Sequence, residues 1–196
     1  ILPFLNTSPP DTQLSPPPLE DWPTTMSSPA YQVESMRQLT LVLLSKLAMS
    51  FLAAKNQTQA EMWNDNLLAL REMTRPFTTW FLLQRFVQIE NRLEPSPVKQ
   101  ILGQCRELVW LSHLEKMADL FLEAELLHSG HVSAMRARLQ AQCKSLRGVA
   151  VTLTDAFDYP DWVLKAPIAR YDGQMYHHYW AEIQEMNAAE RLKSKL

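Results

Sequence analysis

Residues 132–157, VSAMRARLQAQCKSLRGVAVTLTDAF, carry the most regular apolar pattern in the chain. Their apolar side chains recur every three or four positions, which places them along one face of an α-helix. The stripe consists of Val132, Met135, Leu139, Cys143, Leu146, Ala150, Leu153 and Phe157. A stripe of this period is typical of the seam of an antiparallel helical bundle. We therefore predict a helix here, with the Cys143 thiol buried as a packing group.

Two segments before this one have helical spacing as well. Residues 31–54 are apolar on most sides and are expected to form one central, buried helix. Residues 61–93 predict a second long helix, which Pro76 should kink or split because proline lacks a backbone N–H and clashes with the preceding turn. The face of this second helix that we expect to be buried consists of Trp63, Leu67, Leu70, Phe77 and Phe81.

A third segment begins with Ser96 as the expected N-cap and Pro97 as the first helical residue, and extends to about residue 127. Residues 173–193 predict a last amphipathic helix. No strand-like alternation of useful length occurs anywhere in the sequence. The expected fold is all-α, an up-and-down bundle of about five helices with an extended proline-rich N-terminal arm.

The arm is predicted from proline content. Eight of the 13 prolines precede residue 30, in a stretch that should hold neither a helix nor a central strand. Phe4, Leu5 and Trp22 suggest that the arm docks on the domain at a few points. We divide the chain into the arm, residues 1–30, the bundle, residues 31–190, and a tail, residues 191–196. Because the first residue is Ile1, we expect the chain to be a fragment or a processed piece.

Composition excludes several classes of partner and site. The net charge of −2 gives no basic field for nucleic acid. Cys105 and Cys143 lie 38 positions apart, so neither a disulfide framework nor a zinc site is expected. Residues 39–54 are the best candidate for a membrane span, but 16 residues with Lys46 near the middle are too short, and no span is predicted.

Catalytic and ligand-binding patterns are also missing. The four scattered glycines form no G-x-G-x-x-G motif or P-loop. His177 and His178 are adjacent and point about 100° apart on a helix, so they cannot share one metal ion. His128 and His131 flank Gly130, and we expect them to be solvated histidines of a turn. The aromatic run from residue 176 to 180, YHHYW, could stack on a flat ligand but is more typical of a helix packed on a bundle. The sequence therefore predicts no catalytic residue and no metal ligand.

The chain ends in Ser194-Lys195-Leu196, which is the receptor-read peroxisomal import signal when it carries the free carboxylate. The same three residue types occur at positions 45–47, inside a predicted helix, where we expect them to serve packing alone. The terminal copy predicts import into the peroxisome, or glyoxysome, by a receptor built of helical repeats.

Residues 153–180, LTDAFDYPDWVLKAPIARYDGQMYHHYW, resemble the C-terminal domain of peroxisomal acyl-CoA oxidases. Members of this family carry a DAFD segment, then RYDG-x-x-Y, then a closing helix and often a terminal SKL. The residues that match are Asp155, Phe157, Asp158, Arg170, Tyr171, Asp172, Gly173 and Tyr176. We expect these positions to be structural, with Arg170 pairing with Asp158 or Asp155. The resemblance covers residues 31–196 and is specific in the last 45.

The resemblance implies a flavoenzyme of fatty-acid β-oxidation. Such oxidases convert fatty acyl-CoA to trans-2-enoyl-CoA, with FAD as cofactor and O2 reduced to H2O2. The family's catalytic base lies in a motif that this sequence does not contain, so none of its residues is assigned to catalysis. The resemblance implies as partners the catalytic domains of the same enzyme and a second copy in a homodimer. An apolar face that includes Trp80, Phe81, Phe86 and Trp110 is expected to contact them.

Two other hypotheses remain open from the sequence. The chain could be a complete, non-enzymatic peroxisomal adaptor or lipid-binding protein. It could also be a cytosolic interaction module whose terminal SKL is accidental. The coding sequence upstream of Ile1 separates all three, since only the first hypothesis requires a flavin-oxidase domain there.

Overall fold

The computed structural model describes residues 15–54, 57–164, 166–170 and 172–193, and within these ranges it is helical without a strand. The predicted all-α fold is confirmed. Contacts divide the chain into two compact units, Ile1–Arg147 and Gly148–Leu196. The helices of the first unit are α1 Trp22–Ser27, α2 Pro29–Ala53, α3 Gln59–Asp65, α4 Leu67–Glu90, α5 Pro97–Lys116, α6 Ala118–Glu123 and α7 Ser129–Leu146. Those of the second unit are α8 Ala150–Asp155, α9 Asp161–Leu164, a 3₁₀ turn Pro167–Ala169 and α10 Met175–Lys193.

Local sequence sets the starts of the long helices. The Ser96 hydroxyl accepts a hydrogen bond from the backbone N–H of Lys99 (3.2 Å), and Pro97 occupies the first turn of α5, as predicted. Ser28 caps α2 in the same way, followed by Pro29. At both helix starts the serine hydroxyl accepts from one of the first backbone N–H groups, which have no acceptor within the helix. The proline that follows lacks an N–H at a position where that group would have no helical partner, so it does not weaken the helix.

The break in the second helical segment lies at Asn66. Of the prediction that Pro76 kinks or splits the segment, the split is wrong. Pro76 is buried inside the continuous helix α4. At Asn66 the side-chain NH2 group, and not the backbone N–H, donates to the carbonyl of Met62 (2.9 Å), so α3 ends there. The side-chain oxygen of Asn66 accepts from the hydroxyl of Ser50 (2.7 Å). These bonds make Asn66 the joint between α3 and α4.

The proline-rich stretch contains a helix that sequence reasoning excluded. Pro23 lies in the first turn of α1, where a missing N–H costs nothing, so α1 forms despite its proline. Docking of Trp22 is confirmed, since its ring is fully buried and its indole N–H donates to the carbonyl of His131 (3.2 Å). Phe4 and Leu5 lie outside the described residues.

The core of the first unit is built from α1, α2, α4, α5, α6 and α7. Trp22 and Trp110 contact each other with ring centroids 6.2 Å apart, and the indole N–H of Trp110 donates to the Ser35 hydroxyl (3.1 Å). Around them pack the fully buried side chains of Met36, Leu39, Leu83, Leu111, Leu114, Met117 and Met135. The two largest rings therefore join the proline-rich start of the chain to the middle of the bundle.

Several expectations about buried faces are wrong. On α4 the buried face carries Met73, Trp80 and Leu83, whereas Leu67 and Phe81 of the predicted stripe are exposed. On α7 the predicted stripe does face the core, since Met135 and Leu146 are buried and Val132 and Leu139 pack against the core. Cys143 is the exception, because its side chain is exposed. The buried face of α7 also includes the polar side chains of His131 and Gln142, which the apolar spacing could not predict. The helix also ends at Leu146, which separates Leu153 and Phe157 from the stripe.

The apolar face proposed from sequence is also corrected in part. Trp80 and Trp110 belong to the core, Phe86 is half-buried and Phe81 is exposed. Helix α2 has the length and apolar composition that a membrane span requires, although its first half is buried against the rest of the first unit, polar Gln32 and Gln38 included. The second half of α2 exposes Met49 and Leu52, so burial of residues 39–54 is only partial.

Candidate functional site

Five of the eight motif residues line one open cavity of about 900 Å³ in the second unit. Two separate stretches of sequence meet there, the DAFD segment and the segment that begins at Arg170. The cavity is lined by Thr154, Asp155, Phe157, Asp158, Tyr159, Leu164, Ala169, Arg170 and Asp172. The two segments therefore share the lining of one cavity within the second unit.

The first wall of the cavity is the tight turn that follows α8. Asp158 has a positive φ of 50°, and its backbone N–H donates to the carbonyl of Asp155 (2.8 Å). Asp and Asn adopt this left-handed conformation more readily than most side chains. The turn stacks the rings of Phe157 and Tyr159 with centroids 6.1 Å apart and planes within 6° of parallel. Phe157 is exposed within this unit rather than buried at the end of a helical stripe.

The second wall is a turn that leads into α10. The Asp172 carboxylate accepts from the backbone N–H of Gln174 (3.0 Å), closing an Asx turn before the helix starts. Gly173 between them has φ of 69°, a conformation that costs glycine nothing and other residues about 1 kcal/mol or more. This explains why glycine follows aspartate in the motif.

Asp172, His178 and Arg170 form a chain of hydrogen bonds at this turn. The His178 Nε2 lies 2.5 Å from Asp172 Oδ2, and the Arg170 Nη1 lies 3.2 Å from His178 Nδ1. A guanidinium only donates, so Nδ1 must accept and the ring proton must lie on Nε2, facing Asp172. His178 lies one turn into α10 and was not predicted as a partner, because no motif letter marks it. Its spacing of six residues from Asp172 is the signal that could have identified it.

Arg170 therefore has a different partner from the expected one. We expected a carboxylate, Asp158 or Asp155, but the described contact of the guanidinium is with His178. The reason is geometric, since α10 begins three residues after Asp172 and brings His178 back to the Arg170 side chain. Arg170 still pins the irregular stretch to the last helix, through an imidazole instead of a carboxylate.

The electrostatics of this cluster do not favour acid–base catalysis. The hydrogen bond from His178, and then that from Gln174, lower the pKa of the Asp172 carboxyl below its ordinary range. A carboxylate stabilised in this way is a weaker base than a free one, whereas a general base near neutral pH needs a raised pKa. Among the described residues, no group of three His, Cys, Asp or Glu side chains is arranged to hold a metal ion.

A family model for acyl-CoA oxidase matches residues 28–195 of this chain. The chain belongs to the acyl-CoA oxidase family. Acyl-coenzyme A oxidase 3 of Yarrowia lipolytica is 31% identical over 109 residues, which are 56% of this chain and 16% of that protein. Peroxisomal acyl-coenzyme A oxidase 1 of Bos taurus is 22% identical over 187 residues, 92% of this chain and 28% of that protein.

A solved structure shows the same fold. Acyl-CoA oxidase-2 of Caenorhabditis elegans, bound with FAD, ascaroside-CoA and ATP, matches with a TM-score of 0.72 at 20% identity. The match covers 95% of this chain and 29% of that one. The chain therefore spans less than a third of the length of each of these three acyl-CoA oxidases.

FAD does not fit the cavity of this acyl-CoA oxidase segment. The lining places three carboxylates, Asp155, Asp158 and Asp172, against one guanidinium that already contacts His178. A pyrophosphate would be repelled there, because anions need converging N–H groups or free cations. Gly173 cannot provide such a cradle either, since its turn closes on the Asp172 carboxylate.

The remaining motif positions are distributed differently. Tyr176 lines a separate apolar cavity of about 340 Å³ with Pro167, Ile168, Met175 and Tyr179. Tyr176 and Trp180 are exposed within the second unit. The rings of His177 and His178 are inclined at 78°, as expected for neighbours that face different ways. Tyr171 and the terminal Ser194, Lys195 and Leu196 lie outside the described residues.

Proposed function

We propose that this chain is the C-terminal helical domain of a flavin-dependent acyl-CoA oxidase that converts fatty acyl-CoA to trans-2-enoyl-CoA. In that reaction the substrate loses hydrogens from C2 and C3, and O2 is reduced to H2O2 with FAD as the carrier. The observation that supports the proposal is the family match over residues 28–195, which extends across both units. The catalytic base and most contacts with FAD belong to other domains of the enzyme.

We propose that the helical segment packs on those catalytic domains and on a second subunit. Exposed apolar side chains support this, because apolar surface of this extent is typical of protein interfaces. On α4 they are Leu67, Leu68, Phe81, Leu82 and Ile89. On α10 they are Tyr176, Tyr179, Trp180 and Met186. The segment would complete and shield the substrate cleft without supplying chemistry.

We also propose that Ser194-Lys195-Leu196 directs the enzyme to the peroxisome for fatty-acid β-oxidation. The peroxisomal name of the bovine relative supports this location. The internal copy at residues 45–47 lies within α2, and its Leu47 side chain is buried in the first unit. A receptor groove needs a free carboxylate beside the leucine, and only the terminal copy can offer one.

The decisive experiment begins with the coding sequence upstream of Ile1. We expect it to encode a flavin-oxidase domain, and the enzyme it specifies should release H2O2 only when fatty acyl-CoA is added. This chain alone, mixed with FAD, should show no bound-flavin spectrum. A start codon directly before Ile1, or tight stoichiometric flavin binding by this chain alone, would contradict the assignment.

The interface role is tested in that whole enzyme with two variants of α4. Phe81→Asp should weaken subunit or domain association, because it places a charge on an exposed ring position. Thr78→Asp is the matched control, exposed on the same helix. Equal association and equal activity of both variants would refute a contact at Phe81.

Import is tested with a fluorescent fusion expressed without any native subunit that could carry it. Deleting Leu196 removes a buried leucine from the receptor complex, worth about 1.5–3 kcal/mol, and should abolish import. Lys46→Ala, a change at the exposed cation of the internal copy, should leave import intact. Import that survives loss of Leu196 would overturn the targeting proposal.

A further inference from the structure

The second unit, Gly148–Leu196, has no buried core among the residues that the structure describes. Every side chain that is buried in the described part of the chain lies before residue 148. In the second unit the apolar side chains of Leu153, Met175 and Ile183 are only half-buried. Apolar burial is the main favourable contribution to folding, so this unit lacks the contribution that stabilises the first one.

The first unit buries polar groups as well as apolar ones. The ring of His131, which we expected to be solvated in a turn, is only 2% exposed, so that expectation is wrong. Its Nδ1 accepts from the backbone N–H of His128 (3.0 Å), and its Nε2 lies 2.9 Å from the carbonyl oxygen of Pro17. In the second unit, by contrast, the side-chain hydrogen bonds of the described residues are all exposed to water.

The helices of the second unit are also too short to be stable alone. Helix α8 has six residues and α9 has four, whereas isolated helices shorter than about 12–15 residues are marginal in water. Helix α10 has 19 residues, but aromatic and histidine side chains of modest helix propensity fill its first turns. Exposed contacts such as that between Asp172 and His178 contribute little, because water competes for them, and cannot offset the conformational entropy lost on folding.

Apolar surface takes the place of a core in this unit. The side chains of Ile168, Tyr176 and Trp180 are 75%, 80% and 61% exposed. Ile168 and Tyr176 also line the open apolar cavity of about 340 Å³, which can accept an apolar side chain from outside the unit. Covering this surface would provide the burial that the second unit does not achieve by itself.

We propose that the second unit is only marginally stable in this chain alone and becomes stable by docking its apolar surface on the part of the oxidase that lies outside the chain. This inference rests on the proposed function, which supplies the partner. The family match reaches residue 195, so the second unit belongs to the same enzyme. This chain covers only 28% of the bovine relative, so the greater part of such an enzyme lies outside it and can provide the partner surface.

A second copy of the same unit is a less suitable partner. Its larger cavity is lined by the carboxylates of Asp155, Asp158 and Asp172 and by one guanidinium, that of Arg170. In a two-fold symmetric contact each surface meets its own copy, so these carboxylates would face one another. The surface that docks here is therefore apolar and bordered by cations, which the second unit itself does not offer.

The test is hydrogen–deuterium exchange, followed by mass spectrometry, of this chain alone and of the whole oxidase. In the chain alone, at about 1 μM and at about 100 μM, the amides of α10 should exchange within about tenfold of the unstructured rate. Those of α5 in the first unit should exchange at least about a thousandfold more slowly than that rate. In the whole oxidase the exchange of α10 should be at least about a hundredfold slower than in the chain alone.

Two variants of α10 locate the docking face in the whole oxidase. Tyr176→Ser removes a ring that is exposed in this unit, and it should speed the exchange of α10 at least about tenfold because docking buries the ring. Glu185→Ser is the matched control, since Glu185 is exposed on the same helix and lies about 180° round it from Tyr176. The control should change the exchange of α10 less than about twofold.

Three results would overturn the proposal. One is protection of α10 in the chain alone that equals its protection in the whole oxidase. Another is protection that appears in the chain alone only at the higher concentration, which would make a second copy the partner. The third is an equal effect of Tyr176→Ser and Glu185→Ser in the whole oxidase.

The proposed function fails in a different way, namely if the coding sequence upstream of Ile1 encodes no flavin-oxidase domain. The partner named here is then lost as well, whatever the exchange of α10. Conversely, an active oxidase in which α10 is equally protected with and without the rest of the enzyme would overturn the docking proposal and leave the proposed function intact.

Discussion

Replacing Arg106 with methionine should be one of the most destabilising single changes in the first unit. Arg106 and Glu90 form an ion pair in which Nε donates a bifurcated hydrogen bond to both carboxylate oxygens, at 3.0 and 2.9 Å. The two side chains are only 6% and 8% exposed. The guanidinium also donates to the side-chain carbonyl of Gln32, whose own NH2 group donates to the carbonyl of Met26 (2.6 Å).

The expected cost follows from what Arg106→Met leaves behind. Methionine fills much of the same volume, so the main loss is that the Glu90 carboxylate is buried without a cation. Removing one partner of a buried pair costs about 3–5 kcal/mol. With a urea dependence of about 2 kcal/mol per molar, the unfolding midpoint should fall by about 1.5–2.5 M.

Urea unfolding of the full chain, followed by far-UV circular dichroism and by Trp fluorescence, measures this midpoint. The double variant Arg106→Met with Glu90→Leu should recover most of the loss, because no charge is then left buried. Arg136→Met is the matched control, since Arg136 pairs with Glu115 at 3.6 Å on the surface and should contribute less than about 1 kcal/mol. A loss below about 1 kcal/mol in Arg106→Met, or a double variant no better than the single one, would refute the reasoning.

Three further predictions concern single positions on α2 and in the second unit. Leu47→Ala should cost about 2–5 kcal/mol in urea unfolding, whereas Leu52→Ala on the exposed side of α2 should cost less than about 0.5 kcal/mol. Gly173→Ala should destabilise the start of α10 by about 1 kcal/mol, because φ is positive there, and faster amide exchange in α10 would report it. Gly148→Ala, with no atom near the added Cβ, should have no such effect. The lowered pKa of Asp172 means that its carboxylate stabilises the turn above the unfolded pKa, a contribution lost as pH falls through the lowered value. In Asp172→Asn the stability of α10 should therefore depend less on pH below about pH 4 than it does in the wild type. An unchanged pH dependence of that stability would contradict this prediction.

The structural features that could be predicted from the sequence were those caused by residues close to one another in the chain. Ser96 and Pro97 were assigned correctly as the start of a helix because an N-cap and a first-turn proline act within four residues of sequence. The helix of Trp22–Ser27 was missed because proline content was weighed without asking where in a helix each proline would fall. Pro76 shows the same overestimate of proline, since a proline can also lie inside a continuous helix.

The sequence by itself determined the all-α class, the start of α5 and the family, because periodicity, caps and the DAFD and RYDG segments are local patterns. Only the tertiary structure decided which face of each helix is buried. Cys143 and Phe81 lie on regular apolar stripes yet are exposed, while His131 is buried because its two ring nitrogens meet partners 3 and 114 residues away. Burial of a polar side chain depends on partners that satisfy it, and a partner distant in sequence leaves no periodic signal.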